Sequence, residues 1–399
     1  MSTRPEASTA VYLDHAATTP VRSEVREAML PFLSDAAFGN PSSAHRIGRA
    51  ARAALTDARQ RIGTALGVRP DTVVFTSGGT EADNLAVLGS ALRARARGRP
   101  FRVLIGATEH KAVIDAAHAV ENLGGSAVVL PVDASGRIDL NALDAALDET
   151  VAVLSVMWVN NETGVCQDLD AIAARARGAG VPFHTDAVQA LGKVPWVLPD
   201  PLPGLMSISG HKIGAPKGIG ALMVADSDAV EPLIHGGGQQ GGLRPGTENV
   251  AGAVGLAVAV ELAVGEQPAF ATRTSALRDR LEEAITAMDE TVHIHGSPAP
   301  RAPHVANVAF PGADANAMLL HLDQAGVACS AGSACSSGAV TPSHVLSAMG
   351  IAPELSGSSV RFSFGATSSD ADVGRVVAVL PDVMDRVRVL TRALREDGG

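Results

Sequence analysis

The sequence predicts an α/β fold around a mostly parallel, seven-stranded sheet, and three observations lead there. Between about residues 70 and 225, seven short apolar runs alternate with helical stretches rich in Ala and Arg, the rhythm of strand–helix–strand units. Beyond residue 265 the rhythm changes to short strands and longer helices, which predicts a second, smaller α+β domain. Composition supports a packed chain: 46% of the 399 residues are hydrophobic and 19% charged, as in globular domains.

The predicted strands are Thr72–Thr76, Arg102–Gly106, Ala127–Pro131, Val151–Val159, Val181–Thr185, Leu205–Ser209 and Gly220–Ala225. Glu81–Arg97 and Leu169–Gly178 are among the helices separating them. A Gly-rich loop, His235–Thr247, then leads into a long helical run from about Val250 to Met288. Short strands follow around Val292–His295 and Asn307–Phe310, and a last helix near Asp372–Arg395. We therefore expect a large domain over residues 17–264. Residues 1–16 and 265–399 would form the small one, including a Ser/Gly/Ala-rich cysteine loop at about 329–340. Aromatic residues make up only 3%, so the core must rely on Ala, Val and Leu.

The net charge of −10 argues against nucleic-acid binding, which needs a basic face. The first ten residues lack the apolar core of a signal peptide. The most apolar helical run, Val250 to Val260, is broken by Glu261 and is too short to span a bilayer, so no membrane partner is expected. Three cysteines, Cys166, Cys329 and Cys335, are too few for a disulfide framework. A reducing, cytoplasmic setting is the expectation, and the sequon at Asn161 carries no weight.

Three segments can carry chemistry. Val73-Val-Phe-Thr-Ser-Gly-Gly-Thr80 reads as a strand, a glycine turn and a helix start. Gly78 and Gly79 let backbone N–H groups approach an anion, and the Thr80 hydroxyl can donate to it. The same segment also reads as an ordinary tight turn, and it matches neither nucleotide-binding glycine motif. Val181-Pro-Phe-His-Thr-Asp186 ends an apolar strand with a carboxylate that could hold a pyridinium nitrogen protonated or could simply cap a helix. Ser207-Ile-Ser209-Gly-His211-Lys212 places a lysine directly after a strand in a Gly-rich bend, where a lowered pKa would suit a Schiff base. Lys212 is one of very few lysines in an arginine-rich chain, although a solvated surface lysine is the default.

Together and in this order, the three segments resemble the fold-type I pyridoxal-phosphate (PLP) enzymes of the class V aminotransferase branch. Further blocks extend the resemblance over roughly residues 11–369: Tyr12-Leu-Asp-His-Ala-Ala-Thr-Thr-Pro20, Asn40-Pro-Ser-Ser-Ala-His45, Thr108-Glu-His110, Val159-Asn-Asn161-Glu-Thr-Gly, His235-Gly-Gly-Gly-Gln and Arg244-Pro-Gly-Thr247. The block Ser330-Ala-Gly-Ser-Ala-Cys335-Ser-Ser-Gly, followed by Ser359-Val-Arg361-Phe-Ser-Phe-Gly365, is similar to the signature of NifS/IscS-like cysteine desulfurases with the longer cysteine loop.

The resemblance implies roles for individual residues. Lys212 would carry PLP and move the substrate Cα proton. Asp186 would pair with the pyridine nitrogen, and Gln189 would hydrogen-bond the phenolic oxygen. His110 would stack on the cofactor and serve as acid–base near the substrate sulfur. Gly79, Thr80, Ser209 and His211 would hold the phosphate, joined by Thr247 of a partner subunit in a homodimer. Asn161 and Arg361 would bind the carboxylate of L-cysteine, Arg through its bidentate fork. Cys335 would take the sulfur as a persulfide, release L-alanine and pass the sulfur to an acceptor protein, an iron–sulfur scaffold or a tRNA-thiolation enzyme. Cys329 is a weaker sulfur candidate, and Cys166 reads as a packed small residue. No metal site is expected.

Two departures stand out. Gln240-Gly241 occupies a place where such proteins often carry Glu-Arg, and Gly204 one where Asp is common. Rival activities are a selenocysteine lyase, a class V transaminase and a non-catalytic sulfur-relay scaffold. A transaminase has no need of Cys335, and a scaffold has no need of Lys212.

Overall fold

Strands buried on both faces need apolar residues throughout, and helices must cover both sides of such a sheet. The computed structural model describes residues 10–200, 202–331 and 342–397. Its large sheet comprises β1 (Val73–Thr76), β2 (Arg102–Gly106), β3 (Ser126–Leu130), β4 (Val151–Ser155), β5 (Phe183–Asp186), β6 (Leu205–Ser209) and β7 (Gly220–Val224). The spatial order is β1-β7-β6-β5-β4-β2-β3. Every neighbouring pair is parallel except the two made by β7, so β7 alone runs against the rest. The carboxyl ends of the other six strands therefore share one edge of the sheet, which is where open α/β sheets place their sites. The expected α/β sheet, mostly parallel and seven-stranded, is what forms.

Two strand ends differ from expectation for identifiable reasons. The apolar run expected to be strand as far as Val159 leaves the regular ladder after Ser155, because β2 stops at Gly106 and offers no further partner. The run stays bonded to β5 on its other side, Val156 N–H donating to His184 O and Trp158 N–H to Asp186 O. On the vacated side the Glu109 carboxylate substitutes for a strand and accepts the Met157 N–H at 2.7 Å. The strand expected from Val181 starts at Phe183, since Pro182 has no N–H to give a ladder; its carbonyl still accepts from Leu154 N at 2.9 Å.

The chain divides into two compact units. The larger comprises residues 18–160 and 166–268 and contains the sheet; the smaller comprises residues 1–17, 161–165 and 269–399. The boundary at Pro268 falls inside the helix Val250–Met288. This helix is long and apolar enough to cross a membrane, but most of its apolar window is buried within the protein, as in a core helix. In the larger unit, Val74, Val103, Ile105 and Val153 of the sheet pack against Leu85, Val113 and Val120 of the helices Gly79–Ala96 and Lys111–Asn122. Each fully buried Val or Leu contributes roughly 1.5–3 kcal/mol. The smaller unit concentrates its aromatics, with Phe310, Phe362 and Phe364 fully buried. Its antiparallel sheet runs Ser359–Ser363, Val305–Ala309, His293–Ile294.

Glycine is required where β7 passes the turn after β1. A Cβ on Gly220 would lie 2.7 Å from Ile208 O and 2.8 Å from the Gly78 backbone, atoms that cannot swing aside. Gly220→Ala should therefore cost about 1–3 kcal/mol in urea unfolding and displace the Gly78–Thr80 turn. Gly265, helical and with open space around its missing Cβ, is the control. Gly265→Ala should stabilise by about 0.5–1 kcal/mol, and equal effects of the two would refute the close-approach argument.

Candidate active site

Four strand ends supply the chemistry of the larger unit. After β1 the chain turns through Gly78 into the helix Gly79–Ala96, whose first backbone N–H groups and dipole favour an anion. A Cβ on Gly79 would come within 3.0 Å of Val188 Cγ2 and 3.5 Å of Ser209 Cβ, so the turn is pressed against the ends of β5 and β6. Thr80 is exposed in the first helical turn and Ser209 is buried. Glu81 braces this turn: its carboxylate accepts the Ser77 N–H at 2.7 Å and pairs with Arg244 at 2.7 Å. Burial opposes its ionisation, but Arg244 and Ser77 outweigh it and hold the carboxyl below its usual range.

After β2, His110 caps the helix Lys111–Asn122, its Nδ1 accepting the Ala112 N–H at 3.1 Å. With Nδ1 an acceptor, the neutral ring carries its proton on Nε2. β5 ends on Asp186, which is 5% exposed and accepts the Val188 N–H at 2.8 Å. The carboxylate thus also makes the capping bond of the simpler sequence interpretation. Burial raises its pKa, against the pull of His110, the Val188 N–H, Lys212 and Lys193. After β6 comes the short turn Gly210–Lys212. The His211 carbonyl accepts from Thr19 N and Oγ1 at 2.9 Å, and its ring Nδ1 lies 3.1 Å from Thr18 Oγ1. Burial first, then Lys212, Lys217 and Lys193, bring the His211 pKa down to about 4.

The structure thus gathers Gly79, Ser209, Asp186, His110 and Lys212, with Gln189 on the turn just after Asp186. Thr247 stands apart: exposed on the loop before residue 250, it makes no hydrogen bond to this cluster among the described residues. The residues present fit PLP. A carboxylate whose ionisation burial disfavours gains from a protonated ring nitrogen, and the Gly79 turn with Ser209 forms a cradle that side chains would fill.

Beneath Asp186 lies a polar layer that single motifs did not reveal. His184 is enclosed, Nδ1 at 2.8 Å from Ser155 Oγ and Nε2 at 2.9 Å from Ser207 Oγ; burial lowers its pKa to about 3. Asp83 stands 3.7 Å from the same ring. Burial, then Asp186, pushes Asp83 well above the carboxylate range despite its bond to Ser207, and burial also raises Glu109 well above its usual value. Lys193, likewise missed, is 5% exposed and donates to Gln189 Oε1 at 3.3 Å.

In the smaller unit, Arg361 is 3% exposed. Its guanidinium donates to Asn161 O and to Asp14 Oδ1, each at 2.9 Å, so the two expected carboxylate-binding residues do meet, with Asp14 as an unexpected third. Arg361 also bridges Ser330 through the backbone. Cys329, next to Ser330, packs against the small core, and burial, then Asp14, pushes its thiol up to about 12. Cys335 and residues 332–341 lie outside the described residues.

A family model for class V aminotransferases matches residues 11–376. The cysteine desulfurase IscS of Dictyoglomus turgidum is 40% identical over 381 residues, 96% of each chain. The cysteine desulfurase NifS of Azotobacter vinelandii is 42% identical over 95% of this chain and 93% of its own. A solved NifS-like protein superposes with a TM-score of 0.85 at 31% identity, over 96% of this chain and 99% of that one. The chain belongs to the class V aminotransferase family. Like the family, it is a PLP-dependent enzyme.

The raised pKa of Asp83 gives a pH test. A carboxyl whose folded pKa is raised binds more protons folded than unfolded, so its presence costs stability increasingly as pH rises above about 4. Relative to the parent, Asp83→Asn should therefore gain stability as pH rises above about 4, by up to about 1.4 kcal/mol per pH unit. A difference flat across pH 4–8 in urea unfolding would show that Asp83 is not held neutral.

Proposed function

We propose that this chain is a cysteine desulfurase that moves the sulfur of L-cysteine onto Cys335 and releases L-alanine. The observation that carries the reading is the meeting of a lysine, a buried carboxylate and an anion cradle on one sheet edge. The curated relatives named cysteine desulfurase support it.

Bound PLP supplies an electron sink that makes the substrate Cα proton and Cβ–S bond labile. Lys212 would hold the cofactor covalently and then carry the Cα proton. Asp186 would face the ring nitrogen and favour its protonated form. Gln189 would donate to the phenolic oxygen, while Gly79, Thr80, Ser209 and His211 would hold the phosphate. His110, with its proton on Nε2, would exchange protons at the sulfur. Asn161 and Arg361 bind the carboxylate of cysteine. The Cys335 thiolate forms a bond to the substrate sulfur as the Cβ–S bond breaks, and a proton completes alanine. Cys335 then passes the sulfur to an acceptor protein. A cytoplasmic setting, where thiols stay reduced, suits such a carrier.

The two thiols separate this reading from a transaminase. Cys335→Ser should keep PLP and its spectral response to cysteine, yet lose alanine release and cyanolysable sulfur by roughly 100-fold or more, since a hydroxyl is a far poorer nucleophile. Cys329→Ser should keep most activity, because a thiol with a pKa near 12 is hardly ionised at neutral pH. Near-parental turnover by Cys335→Ser would overturn the assignment.

We also propose a homodimer in which Thr247 of one subunit completes the phosphate site of the other, as its separation from its own cluster suggests. Mixed Lys212→Ala and Thr247→Ala subunits should then regain activity, since each heterodimer contains one intact site. No recovery despite measured subunit exchange would refute shared sites.

A further inference from the structure

Lys193 is one of four lysines in the chain and the only one that is buried. Burying an ammonium costs several kcal/mol unless the surroundings repay it, and a Met of similar length would fill the same space. The local fold nevertheless brings the charge inward. After Asp186 the chain winds through a helical turn, Ala190 and Leu191 donating to Ala187 O and Lys193 and Val194 to Ala190 O. Gly192 then adopts φ +74°, and a Cβ there would sit 2.7 Å from Ala263 Cβ, so the turn lies directly on the helix Val250–Met288. Gln267 of that helix donates to the Lys193 carbonyl at 3.3 Å. The Lys193 ammonium is thereby returned under its own turn, 3.3 Å from Val188 O and 3.3 Å from Gln189 Oε1.

An ammonium has donors and no acceptor, so it can face only the oxygen of the Gln189 amide. We propose that Lys193 is a positioning residue for Gln189: by holding the amide oxygen it turns the amide nitrogen out as the donor to the cofactor's phenolic oxygen. Without it the amide could flip and set its own oxygen lone pairs against that phenolate. The inference rests on the reading of Gln189 given above. Burial and Lys212, opposed by Asp186, bring the Lys193 pKa down to about 7; the orienting contact is strictest in the ammonium form, since a neutral amine carries a lone pair that can also accept.

The test follows the visible absorption of the Lys212-bound cofactor through a pH titration in four holoenzymes: parent, Lys193→Met, Gln189→Leu and the double variant. A donor on the phenolic oxygen lowers the proton affinity of the neighbouring imine nitrogen. Losing that donor should raise the midpoint by about 0.5–1 pH unit, the size of one hydrogen bond. Lys193→Met and Gln189→Leu should each produce this rise, and the double variant should rise no further than Gln189→Leu alone. If Lys193→Met shifts the midpoint equally with and without Gln189, the lysine acts through its charge and the proposal falls, while Gln189 keeps its role. The proposal falls equally if Lys193→Met shifts nothing. An unmoved midpoint in Gln189→Leu removes the reading of Gln189 and this inference with it. Should Lys193→Met yield no holoenzyme, Lys193→Ala enters the same comparison with the same expectations.

Discussion

A carboxylate buried away from water, with cations set against the cost of its charge, constrains everything around it in the larger unit. Asp186 sits at the carboxyl end of β5 and is almost wholly buried, where an isolated charge is expensive. The groups around it divide according to that cost. His110, Lys212 and Lys193 favour its ionised form. Asp83 and Glu109, which would repel it, are pushed towards their protonated forms, and Asp186 is itself one cause of each shift. His184 stays neutral between two serine hydroxyls. Of these three buried carboxyls, the one at the strand end alone has cationic neighbours pulling against its burial.

The sheet topology makes that arrangement possible. Because only β7 is reversed, turns far apart in sequence leave the sheet at one edge and bring their side chains together. Rigidity comes from the backbone rather than from bulky side chains: the Gly79 turn fits because the glycine has no Cβ, and Gly220 admits the Gly78 backbone for the same reason. Glu109 shows how close structure and chemistry lie. One of its oxygens completes the ladder abandoned by β2, while the next residue, His110, acts on Asp186.

Legibility in the sequence followed the locality of each signal. Asp186 and Lys212 could be read because each ends an apolar run, and residue type plus strand end is a local pattern. Strand ends were less legible, because β4 stops where its neighbour stops, a fact of pairing and not of its own residues. Lys193 was invisible: a lysine between apolar residues reads as solvated, and only the turn at Gly192 brings it inward. Asp14 was equally hidden as a partner of Arg361, since the two lie 347 residues apart.

The pairing of Arg361 with Asp14 shows how the small unit carries a buried guanidinium. An arginine this enclosed needs its positive charge answered, or the small unit would bear an unpaired ion. Asp14 answers the charge, and the Asn161 carbonyl takes a second donor without adding charge. A guanidinium has five donors in a fixed plane, so these two bonds set its orientation without exhausting its capacity. The same neighbourhood disfavours Cys329 as a thiolate: burial and the Asp14 charge raise its pKa, and Arg361, already matched by Asp14, compensates little. A thiol that must ionise to take sulfur is better placed elsewhere in the chain.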